Sequence, residues 1–118
     1  MIQIDYSVVS KDNDFRVVVV DTGKELRQMV QSVAWINGDK ALYNPSKGVM
    51  GAHMTLFGVP VIAFSREDLT WEVITHEATH LSHTLYQGSE EDIATNTGHL
   101  VTLIGKDLKK HGCKILLR

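Results

Sequence analysis

The stretch that most restricts how this chain can fold is Trp71–Leu85, WEVITHEATHLSHTL, with His76-Glu77-Ala78-Thr79-His80 at its centre. On an α-helix, two histidines four residues apart share a face and stand about one turn, roughly 6 Å, apart along the axis. Leu69, Val73, Ile74, Ala78, Leu81 and Leu85 recur at helical spacing and form a stripe for burial. The segment is therefore expected to be an amphipathic helix. In the pattern H-E-x-x-H, two neutral imidazoles converge on one metal ion. The carboxylate after the first of them, here Glu77, can reach a water on that ion without ligating it. The plainer alternative is a structural helix whose histidines are exposed or satisfied by the core.

The rest of the chain narrows the setting. A length of 118 residues fits one domain, residues 1–118, with a single modest core. Net charge is −2 and no basic run exceeds Lys109-Lys110, which argues against a nucleic-acid or membrane partner. The N-terminus MIQIDYSVVSKDND has neither a basic start nor an apolar run, so neither a signal peptide nor a spanning helix is expected there. One cysteine, Cys113, excludes an internal disulfide framework and a Cys-rich zinc site, and it suits a reducing, cytoplasmic setting.

Local patterns give an element order. Ile2, Ile4, Tyr6 and Val8 alternate as a half-buried strand. Lys11–Asp14 reads as a turn, and FRVVVV at Phe15–Val20 as a strand buried on both faces. Thr22 and Glu25 are spaced as a capping box, and the helix they open runs to a stop at Asn37-Gly38. Ala41–Asn44 is a short strand candidate and Pro45–Gly48 a turn. Val49–Phe57 and Val59–Phe64 are strands, with Pro60 marking an edge or a strand start. Ser65–Asp68 is expected to open the motif helix and Gly88 to end it. Ser89 and Asp92 cap a last helix that runs to about His111, and Gly112 breaks it before an extended tail or short strand, Cys113–Leu117. The fold class is α+β: a small mixed sheet with one helix before the H-E-x-x-H helix and one after it.

A catalytic zinc site needs a third protein ligand. His83 shares the face of His76 and His80, but it lies about 10.5 Å from His76 along the axis, too far for one straight helix to supply all three ligands. The next helix offers Glu90, Glu91 and Asp92. Glu91 leads a stripe of small residues, Ala94, Thr95, Gly98, Thr102 and Gly105, suited to close approach by the motif helix. Glu91 is therefore the favoured ligand and Glu90 the runner-up, while Asp92 serves the cap.

H-E-x-x-H followed by a Glu early in the next helix resembles the zincin metallopeptidases of the Glu-ligand branch. More narrowly, HEATH followed by EEDIATNTGHLV resembles compact phage-encoded zinc peptidases, with Glu91, Ala94 and Gly98 on their pattern. A looser likeness is to ImmA/IrrE-like peptidases. The resemblance covers residues 71 to about 105 and implies a minimal zincin-like fold. Larger members of the branch carry an Asp four residues after the ligand Glu, where this chain has Thr95.

The expected activity is zinc-dependent hydrolysis of a peptide or protein substrate. His76, His80 and Glu91 would hold Zn2+, and Glu77 would act as general base. His83, Tyr86 and His99 are candidate donors to the oxyanion. The substrate would lie beside an edge strand such as Val49–Phe57, where His53 could line the cleft. Two other readings use the same site: a module that grips a partner protein without cleaving it, and a hydrolase of a small amide. Oligomeric state is not encoded in any pattern of this sequence.

Overall fold

The computed structural model describes residues 1–6, 14–38, 50–86 and 88–117. The short strand at Ala41–Asn44, the turn at Pro45–Gly48 and most of the turn at Lys11–Asp14 lie outside the described residues. The chain builds β1 (Ile2–Tyr6), β2 (Phe15–Val20), α1 (Gly23–Ile36), β3 (Gly51–Leu56), β4 (Val59–Ser65), α2 (Trp71–Leu85) and α3 (Glu90–Lys110). This is the α+β class expected, a four-stranded mixed sheet with helices on both faces.

The sheet order is β1-β2-β4-β3. β2 and β4 run parallel at its centre, and β1 and β3 pair antiparallel as the two edges among the described residues. The central position of β2 explains FRVVVV. Phe15, Val17 and Val19 point to one layer with Ile62 and Phe64 of β4, where they meet Ile74, Ala78 and Leu81 of α2 and Leu100, Ile104 and Leu108 of α3. Val18 and Val20 point to the other layer with Val61 and Ala63, against Leu26 and Val30 of α1. Alternate side chains of a strand face opposite ways, so a strand covered on both faces needs apolar residues at every step. Edge strand β1 needs them only at every second step. Ile2, Ile4 and Tyr6 are half-buried against the first layer, and the Tyr6 hydroxyl donates to Asp107 of α3 at 2.7 Å.

Two helix boundaries depart from expectation, the start and the end of α2. Ser65–Asp68 does not open α2. Arg66–Asp68 is a separate 3-10 turn, Leu69 is fully buried, and Thr70 is extended (φ −120, ψ 161) and caps α2 by accepting from Val73 N–H at 3.2 Å. Core burial of Leu69 pulls the backbone out of helix there, and the C-terminal segment takes up the freed carbonyl: Leu116 N–H donates to Leu69 O at 2.7 Å. At α1 the start matches, with Thr22 accepting from Glu25 N–H, and Glu67 adds an acceptor for Gly23 N–H at 3.0 Å. Finally, α2 stops at Leu85 because Tyr86 is extended (φ −120, ψ 141), two residues before Gly88.

The other boundaries match. Gly38 and Gly112 take φ of +90 and +80, the left-handed conformation that glycine adopts without strain. Ser89 and Asp92 form the capping box of α3, and Pro60 lies at the start of β4. Among the described residues no helix is long and apolar enough to cross a membrane.

α2 and α3 run antiparallel across one sheet face. Ser82 Oγ donates to Ile93 O near their junction, and at the far end Trp71 packs on Gly105, where an added Cβ would stand 2.4 Å from the indole ring. The small-residue stripe of α3 makes its close approach only here. Gly98, Ala94 and Thr102 are exposed, and a Cβ on Gly98 would meet nothing within 4 Å. The helix turns Leu100, Ile104 and Leu108 inward instead, because large apolar side chains gain more from burial than small ones.

Candidate metal centre

α2 buries Ile74, Ala78, Leu81 and Leu85 and leaves His76 and His80 exposed at the rim. The i, i+4 spacing brings their Nε2 atoms to 3.3 Å, with the rings edge-on and 4.9 Å apart. Two nitrogens each about 2.1 Å from one tetrahedral zinc stand roughly 3.4 Å apart, so the pair has the separation a shared ion requires.

Glu77 completes the group. The ligand-type atoms of His76, Glu77 and His80 all lie within 4.8 Å of one another. Glu77 is 4 % exposed. Its Oε1 is 3.8 Å from His76 Nε2, and its Oε2 is buried with no hydrogen-bond partner. Burial pushes its carboxyl above the usual range, opposed by the charges of His76 and His80. A buried carboxylate oxygen without a donor is costly and uncommon. It is the donor set, two imidazoles and an unsatisfied carboxylate, that makes the group fit a cation.

Edge strand β3 closes the other side. Gly51 faces α2, and a Cβ there would stand 2.9 Å from Glu77 Cγ and 3.0 Å from Val73 Cγ1, so only glycine lets the strand lie this close. Two residues on, the His53 ring lies parallel to that of His80, 5.9 Å away, and its Nε2 is 3.3 Å from Thr84 Oγ1. Burial, and then the charge of His80, hold the His53 imidazole below its ordinary pKa. His53, expected on the strand beside the site, thus lies against the motif helix. Thr84 and Gly51 were not anticipated. Thr84 lies four residues after His80, a spacing that places it on the motif's face; Gly51 left no signal beyond its being a glycine in a strand.

The remaining candidates stand apart. Glu91 is exposed in the first turn of α3 and is not one of the His76–Glu77–His80 group. Glu90, the runner-up, lines a cleft between the two helices with Thr79, His83, Ile93, Ala94 and Thr97. His83 is exposed on that cleft, in keeping with the axial distance that separates it from His76. Tyr86 packs against the main core, and His99 is exposed on α3. A scan against protein-family models and searches of curated proteins and of solved structures found no match to this chain.

Proposed function

We propose that the protein is a metal-dependent peptidase of minimal zincin-like build, with zinc as its metal. The observation that carries this reading is Glu77: a buried carboxylate with one unpartnered oxygen, beside two histidines at ligand spacing. A structural helix has no use for such a group, whose desolvation is uncompensated. A hydrolase does, because a carboxylate whose ionised form is disfavoured by burial takes up a proton more readily, as a general base must.

His76 and His80 would hold the ion through Nε2, with Glu91 the third ligand and Glu90 its competitor. Bound there, zinc would acidify a water towards a pKa of about 7 and polarise the substrate carbonyl. Glu77 takes the proton from the attacking water and returns it to the leaving amine. β3 supports a peptide substrate: among the described residues it is an edge strand beside the site, and an extended chain can add to such an edge.

The test has two parts. Purified protein should contain about one zinc per chain, the count a mononuclear catalytic site implies. Glu77→Gln should keep that metal and lose hydrolysis of a diverse peptide library, while His76→Ala and His80→Ala should lose the metal. Undiminished turnover in Glu77→Gln would exclude it as the base. Metal in the wild type with no cleavage of any peptide would favour a binding module.

A further inference from the structure

The edge strand and the motif helix meet in register. Gly51 and His53, two apart, share one face of β3. Val73, Glu77, His80 and Thr84 form the facing line on α2, at steps of four, three and four. Gly51 covers Val73 and Glu77, and His53 covers His80 and Thr84. The strand therefore touches the base and one of the paired histidines with consecutive inward residues.

The hydrogen bonds fix how His53 sits. The Thr84 hydroxyl donates to His80 O at 3.1 Å. The same hydroxyl oxygen is 3.3 Å from His53 Nε2, so it lies within hydrogen-bonding reach of both. One edge of the His53 ring is clamped to α2, and its face lies parallel to that of His80.

His80 needs such support. It is exposed, and an exposed imidazole on a helix has rotamers to lose before it can ligate. Ligand histidines are usually held by a partner outside the coordination sphere, and loss of that partner weakens metal binding about 10–100-fold. Thr95, one turn after Glu91, is exposed on α3.

We propose that His53 is a positioning residue of the metal centre. Clamped by Thr84, its ring holds His80 in the orientation that brings Nε2 of His80 to Nε2 of His76. This rests on the metal-centre reading above.

The experiment is a zinc titration against a chromophoric chelator. It uses wild type, His53→Ala, His53→Phe, Thr84→Val, the double variant His53→Ala/Thr84→Val and His76→Ala. The melting temperature of each metal-free protein is measured in parallel. His53→Ala and Thr84→Val should each weaken zinc affinity about 10–100-fold. The double variant should be no weaker than His53→Ala, because both changes remove one contact chain. His53→Phe, which keeps a ring face but no nitrogen to meet Thr84, should restore part of the loss. Metal-free melting temperatures should stay close to wild type, whereas a purely structural role would lower them and leave affinity unchanged. Wild-type affinity in His53→Ala, with affinity abolished in His76→Ala, would overturn the brace alone. A loss in His53→Ala as complete as in His76→Ala would make His53 a ligand and also overturn it. Equal zinc binding by wild type and His76→Ala would remove the metal centre itself.

Discussion

Replacing Glu77 with methionine should make the metal-free protein more stable, against the general trend for buried substitutions. Glu77 is 4 % exposed and its Oε2 has no partner. Leaving a buried polar group unsatisfied costs about 1–3 kcal/mol, and more when it is charged. Methionine has nearly the same length and no polar atom; a volume-conserving swap of this kind costs less than about 1.5 kcal/mol in repacking. The net gain is about 1–2 kcal/mol, which for a chain of this size raises the melting temperature by roughly 3–8 °C.

The gain has a defined pH dependence. Burial raises the folded-state pKa of Glu77 above its unfolded value. The stability tied to this group is thus fully present below the unfolded pKa and is lost as pH rises through the folded one. Calorimetry of chelator-dialysed wild type and Glu77→Met, from about pH 4 to about pH 8, should show melting curves that separate as the carboxylate ionises in the wild type. A variant no more stable than wild type at the upper pH, or an offset constant across the range, would refute the idea that an uncompensated carboxylate is held in this site.

Three further outcomes are expected. Glu91→Ala should weaken zinc binding by orders of magnitude in the same titration, whereas Asp92→Ala should not; loss in Glu90→Ala alone would move the third ligand into the cleft beside His83. Gly105→Ala should destabilise by about 1–2 kcal/mol in denaturant melts, because the 2.4 Å clash with Trp71 outweighs the roughly 1 kcal/mol that alanine gains in a helix; in a Trp71→Leu background it should be neutral or stabilising. Cys113 is buried and burial raises its thiol pKa, so a thiol reagent should label it only on unfolding. Rapid labelling of native protein would contradict that placement.

Neighbour-range patterns carried most of the secondary structure. The helical period of Trp71–Leu85 fixed both the buried stripe and the shared face of His76 and His80, because the helix repeat is set within four residues. FRVVVV announced a strand covered on both sides, and Ser89 with Asp92 announced the start of α3. These signals need nothing beyond the local chain. What the sequence could not supply is the set of contacts between residues far apart along it. Pairing of β2 with β4, which makes β3 an edge beside α2, depends on the burial of both layers together. The same long-range packing draws Leu69 out of helix, puts Glu67 at the start of α1, and turns Ile104 rather than Gly98 inward on α3. His53 shows the division most clearly. As a residue in a strand it was one of several histidines that could line a cleft. It meets His80 because Gly51, with no Cβ, allows the edge strand to lie against the helix, and close approach of two backbones is decided by tertiary packing.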